Sequence, residues 1–212
     1  MTTVITGASK GIGLELAKQL IAMNKNVISC ARSDGFTFLD LERQSSIYAL
    51  RDELLDTPIN LLVCNAGVFL DKGESINSGY PSIKWEKTFS VNVTSVFLLI
   101  QCLLPNIIKA KGKIAIISSQ MGSQNKANGG SYIYRASKAA VLNLGRNLAS
   151  DLKKNGVAVG IYHPGWVKTD MGGEQADISA AESAKGLLQR FDSLSLAKTG
   201  CFENWNGKTH PL

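Results

Sequence analysis

The stretch Thr2-Thr3-Val4-Ile5-Thr6-Gly7-Ala8-Ser9-Lys10-Gly11-Ile12-Gly13 decides the fold. A β-branched run, Thr2–Thr6, enters a glycine-spaced turn. The apolar spacing then changes to that of a helix over Gly11–Met23. Gly7 and Gly11 allow backbone to approach a pyrophosphate, and Gly13 allows helix and strand to pack closely. Ser9, Lys10 and Ile12 complete the turn, and the helix N-terminus offers free N–H groups to phosphate. A glycine-rich turn alone is a weak sign of nucleotide binding; directly after a first strand it carries more weight.

Outward from that turn, strand-like and helix-like runs alternate. Thr2–Thr6, Asn26–Cys30, Asn60–Cys64, Gly112–Ser118 and Val157–His163 read as strands buried on both faces. Gly11–Met23, Gln44–Leu55, Ile83–Ala110 (with a possible break), Gly130–Asn155 and Ala180–Arg190 read as helices. Pro105 is expected to bend or end the helix begun near Thr94. This order indicates an α/β fold with a doubly wound, mostly parallel sheet of about seven strands in one domain, residues 1–212. One crossover is too short for a helix: only Ala31–Phe36 separates the second strand from Thr37–Asp40. An extended loop and an Asp34-Gly35 hairpin are both open. The loop is preferred because it leaves Asp40 at the ligand edge of the sheet.

Composition narrows the function classes. The 212 residues are 44% hydrophobic and 19% charged, values of a globular chain. No apolar run reaches the length of a spanning helix, because Gln101 interrupts Val96–Leu104, and no cleavable signal precedes the first strand. The net charge of +6 is scattered and forms no nucleic-acid stripe. Four isolated cysteines suit a reducing compartment, and two histidines without companion cysteines make no structural zinc site. The expectation is a cytoplasmic protein without membrane, metal or nucleic acid.

Cys30-Ala31-Arg32-Ser33 ends the second strand with a cation where NAD-binding chains place a carboxylate. Arg32, with Lys10 opposite, favours NADP(H), and NAD is the less favoured nucleotide; Asp34 is explained by the turn at Gly35. Tyr134 and Lys138 stand one helical turn apart, and Ser119 closes a strand-like run fifteen residues before Tyr134. An ammonium beside a phenol lowers its pKa and prepares it for proton exchange with a carbonyl or alcohol oxygen. Tyr132, four residues before Ala136, has no such partner.

These pieces together resemble a short-chain dehydrogenase/reductase of the single-domain, Rossmann-type kind. The matching motifs are Thr6-Gly7-x-x-x-Gly11-x-Gly13, Asn65-Ala66-Gly67, Asn92, Ser119, Tyr134-x-x-x-Lys138 and Pro164-Gly165. A narrower likeness to the C-factor and sniffer-type carbonyl reductases lies in 118–123, 134–140 and 163–173. The resemblance implies a tetrad. Tyr134 is the general acid or base, and Lys138 lowers its pKa and holds the nicotinamide ribose. Ser119, three residues before Gly122, binds the substrate oxygen; Asn92 holds a relay water. It further implies that Asn65–Gly67 support the ribose side and that Asp40 and Leu41 flank adenine. Gly165, Val167 and Thr169, after Pro164, would touch the nicotinamide and phosphates.

Two departures stand out: Cys64 precedes Asn65 where the family has a second Asn, and the helix between strands two and three is missing. His163 needs no chemical role, and His210 belongs to a tail expected to dock. Only Gly172–Ser179 separates Met171 from the next helix. A shallow pocket edged by Met121, Trp166, Met171 and 124–131 is therefore expected for a small carbonyl or alcohol. Apolar faces on Thr94–Ala110 and Gly130–Asn155 suit a homodimer. The alternative function is a nucleotide-binding regulatory protein with little turnover.

Overall fold

The computed structural model describes residues 1–212. Seven strands form a wholly parallel sheet in the order β3-β2-β1-β4-β5-β6-β9. They are β1 (Thr2–Thr6), β2 (Asn26–Ala31), β3 (Thr37–Phe38), β4 (Leu61–Cys64), β5 (Lys113–Ile117), β6 (Ala158–His163) and β9 (Phe202–Asn204). The helices are α1 (Gly11–Ala22), α2 (Gln44–Glu53), α3 (Ser82–Phe89), α4 (Ser95–Lys109), α5 (Tyr132–Leu152) and α6 (Ala180–Ser193). Strands β7 (Val167–Lys168) and β8 (Ile178–Ser179) pair apart from the main sheet.

Strand alternation divides the core. Val4, Leu62, Cys64, Ile114 and Ile116 face a cluster built with α2, α4 and α5. Their neighbours Ile5, Leu61, Val63, Ala115 and Ile117 face α1 and α6. Both faces are covered, as near-continuous apolar strands require. Leu103 on α4 is fully buried in the first cluster. Leu103→Ala should cost about 2–5 kcal/mol of unfolding free energy, read as a lower urea midpoint with unchanged m.

The short crossover resolves as the loop. Cys30 pairs with Thr37 and Ala31 with Phe38 in parallel register, and Gly35 turns the chain at φ 81°. No helix is needed, because β3 is only two residues long and the chain has little distance to return.

Ser82–Lys109 differs from expectation twice. It forms one continuous run in which a π-helical turn, Ser90–Thr94, joins α3 to α4. Pro105 does not end it; Leu103 and Ile107 on either side are fully buried and hold the helix against the sheet. This run is also long and apolar enough to span a membrane by length and composition. Leu99, Ile100, Leu103 and Ile107 spend that apolarity in the protein core. The tail docks as expected: the His210 N–H donates to the Phe202 carbonyl at 2.8 Å, and the ring is buried.

Candidate active site

A cleft of about 970 Å³ opens at the carboxyl ends of β1, β2, β4 and β5, where the strand order reverses between β1 and β4. That is the position where open α/β sheets bind ligands. The glycine turn forms one wall. A Cβ on Gly13 would stand 2.2 Å from the Gly7 carbonyl oxygen and 2.6 Å from Asn65 Nδ2, so only hydrogen fits there. Asn65 fastens the turn from below: its Nδ2 donates to the Thr6 carbonyl at 2.9 Å, and the N–H groups of Asn65 and Ala66 donate to Thr6 Oγ1. No side chain caps the N-terminus of α1, which leaves its N–H groups for an anion. Cys64 sits buried at the end of β4, and burial pushes its thiol up to about 12. The size of the cleft, the uncapped helix end and the hydrogen-only contact at Gly13 fit a dinucleotide.

At the far end of the cleft stand Tyr134 and Lys138, both on α5 and both buried. Lys138 Nζ donates to the Ile117 carbonyl at 3.0 Å and lies 5.6 Å from the centre of the Tyr134 ring. Ser118 Oγ donates to the Lys138 carbonyl, and Gly122 presses on the Lys138 backbone, so the end of β5 is seated on α5. Ser119 Oγ accepts from the Met121 N–H at 3.1 Å, and its hydroxyl opposes the rise in the Tyr134 pKa. Asn92 sits in the π-helical turn. It accepts from the Val68 N–H at 2.8 Å and donates to the Val68 carbonyl and to Ser137 Oγ. One lone pair on its oxygen remains for a water. Asn92 Oδ1 and Lys138 Nζ both border Gly67, which brings the two side chains to one point.

The pKa of Tyr134 differs from the sequence expectation. Burial pushes the phenol up to about 12, with Asp71 adding to the rise and Ser119 opposing it. Burial likewise pulls Lys138 down to about 8. The ammonium is bonded to a carbonyl and does not dominate the phenol; desolvation does.

The family model for short chain dehydrogenases matches residues 1–179. The chain belongs to that family. The chain is 31% identical to 1-hydroxy-2-glutathionyl-2-methyl-3-butene dehydrogenase of Rhodococcus sp. (strain AD45), across 97% of each chain. Its fold superposes on NADPH-bound carbonyl reductase from chicken fatty liver with a TM-score of 0.91. That match has 28% identity and covers 100% of this chain and 98% of the other. Carbonyl reductase Sniffer of D. melanogaster superposes with a TM-score of 0.94 at 26% identity, covering 100% and 99%. The narrower likeness to sniffer-type reductases therefore extends through the whole fold, and the chain is an oxidoreductase.

Several expected contacts fall differently. Arg32 and Lys10 line the cleft, yet each meets a carboxylate: Arg32 Nη1 lies 3.4 Å from Glu42, and Lys10 Nζ lies 2.7 Å from Asp170. Asp40, Leu41, Pro164 and Thr169 line the cleft as well. Gly165 and Val167 do not. Gly165 packs beneath Ile178 and Trp205, and Val167 is buried in β7. Of the expected substrate contacts Ser119, Met121, Tyr134, Trp166 and Met171, only Tyr134 and Met171 line the cleft, the Met171 sulfur 4.0 Å from the Tyr134 hydroxyl. Trp166 turns to the Gly172 carbonyl at 2.9 Å, and Met121 is held by the turn after Ser119. Residues 172–179 contribute nothing to the cleft wall, because Ile178–Ser179 are drawn into pairing with β7.

Two residues beside Tyr134 escape a reading of the sequence. Phe69 stacks on its ring at 4.2 Å. Asp71 is fully buried against the start of α5. Both follow Asn65-Ala66-Gly67 in a loop whose path nothing local dictates. His163 lies outside the cleft, buried beside His210, and burial holds it neutral with a pKa near 3.

Proposed function

We propose that this oxidoreductase reduces a carbonyl compound with NADPH, with Tyr134 as proton donor to the substrate oxygen. The observation that carries the proposal is the placing of Tyr134 and Lys138 at the end of a dinucleotide-sized cleft, with Asn92 meeting Lys138 behind Gly67. NADPH supplies the hydride to the carbonyl carbon. Tyr134, with its pKa raised to about 12, keeps its proton at neutral pH and is a donor rather than a base, which favours reduction. Ser119 holds the substrate oxygen against the phenol. Lys138 reaches the ribose side of the cleft floor, and Asn92 seats a relay water on its free lone pair. Gly7, Ser9, Gly11, Ile12, Ala66 and Gly67 form the backbone cradle.

Arg32 and Lys10, now paired with Glu42 and Asp170, would hold the 2′-phosphate of the bound nucleotide. Arg32→Ala should weaken NADPH binding by about tenfold or more and leave NADH binding unchanged, as loss of a charge-assisted contact implies. Fluorescence titration with both nucleotides measures this. A panel of aldehydes, quinones and ketones with NADPH then tests the reaction itself. No turnover with any of them would overturn it.

Residues 1–212 act as one NADP-binding domain in this reading, located in the cytoplasm, where four unpaired cysteines stay reduced. The assembly is a homodimer through α4 and α5, whose outer faces expose Phe97 and Tyr132. Light scattering checks the mass.

A further inference from the structure

We propose that Asp71 is a positioning residue that sets both the place and the proton affinity of Tyr134. This rests on the reading of Tyr134 as proton donor.

The α5 helix starts without a local cap. Gly129, Gly130 and Ser131 run in the left-handed region, with φ 77°, 64° and 47°, and the Ser131 side chain makes no capping bond. Asp71, from the loop after β4, supplies the cap instead. Its carboxylate accepts from the Ile133 N–H at 2.8 Å and from the Tyr134 N–H at 3.2 Å. The backbone of the proton donor is thus held directly by a residue far away in sequence. A fully buried carboxylate is stable there because two N–H groups and the positive end of a 21-residue helix meet it. The same short loop places Phe69 on the Tyr134 ring at 4.2 Å and is itself tied to Asn92 through Val68. Three successive contacts therefore run from the cleft floor to the phenol.

The charges around the phenol are few. Lys138 faces it from α5, with Nζ committed to Ile117. Ser119 approaches from the turn after β5, and Met171 from the turn after β7; both are uncharged. Lys72, next to Asp71, bonds the Met171 carbonyl. Asp71 is the anion among them, and a buried anion opposes formation of a phenolate. It thereby adds to the protonation of Tyr134 that burial already favours.

Asp71→Asn preserves an oxygen that can accept from both N–H groups and removes the charge. Asp71→Ala removes both. A difluorotyrosine placed at position 134 and followed by fluorine NMR reports the ionisation of that phenol without cofactor or substrate. In the Asp71→Asn protein the ionisation should move to lower pH. The alkaline limb of the pH–rate profile for carbonyl reduction should move in parallel, with NADPH affinity unchanged. In Asp71→Ala, kcat should fall about tenfold or more at constant KM for NADPH, since the donor loses its backbone anchor.

An ionisation at the parental pH in Asp71→Asn would overturn the proposal, whether or not Asp71→Ala folds. A parent protein that reduces no carbonyl would overturn the reductase reading alone, because the fluorine titration still decides Asp71.

Discussion

Tyr134→Phe should bind NADPH as the parent does and lose about three orders of magnitude in kcat for carbonyl reduction, the middle of the range for removal of a general acid. The ring is buried and stacked on Phe69 at 4.2 Å, so Phe keeps the packing. Only the hydroxyl is lost, and its neighbours are Ser119 and the Met171 sulfur. The nearby protic groups are otherwise engaged: Lys138 donates to Ile117, Ser118 donates to the Lys138 carbonyl, and Ser119 accepts from the Met121 N–H. Stopped-flow measurement of NADPH oxidation against fluorescence binding separates the two effects. Turnover within tenfold of the parent would assign the proton to another group.

Lys138→Met should move activity and stability in opposite directions. Burial lowers the ammonium from 10.5 to about 8. Between those values the unfolded chain holds a proton that the folded chain lacks, so stability from this group rises as pH rises through that window. Below about 8 the penalty is constant, of order 3 kcal/mol at pH 7. Methionine removes that penalty but leaves the Ile117 carbonyl without its donor, which costs about 1–3 kcal/mol. The net expectation is a melting temperature equal to the parent's or a few degrees higher at pH 7, with the parent gaining on the variant above pH 8. Activity should fall at least about a hundredfold, because no cation then reaches the cleft floor beside Gly67. Melting curves at pH 7 and pH 10, with steady-state rates, check both signs. A variant that melts well below the parent would show that the Ile117 bond outweighs the burial of charge.

The readable parts of the protein share a physical feature: they are short-range. The Thr2–Gly13 stretch encodes strand, turn and helix within one run, and the Gly13 contact with Gly7 lies inside it. Tyr134 and Lys138 share a helix face by spacing alone. Strands buried on both faces betray themselves by composition, which is why five of the seven sheet strands are visible in full and β3 as a short run. The seventh, β9, has three residues, too few for a pattern, and β7 and β8 have two each. Pro105 shows the converse: a strong local signal against a helix yields to Leu103 and Ile107 packed in the core.

By itself the sequence determined the α/β order, the glycine cradle and the pairing of a phenol with an ammonium. Each depends on residues within a turn of one another, where backbone geometry leaves few choices. Only the tertiary structure decided what those groups are worth. It set Phe69 and Asp71 against Tyr134, turned Arg32 to Glu42 and Lys10 to Asp170, and drew Trp166 out of the cleft. It also reversed the expected shift of the phenol. Proton affinity depends on burial and on charges from distant segments, and neither is written in local spacing.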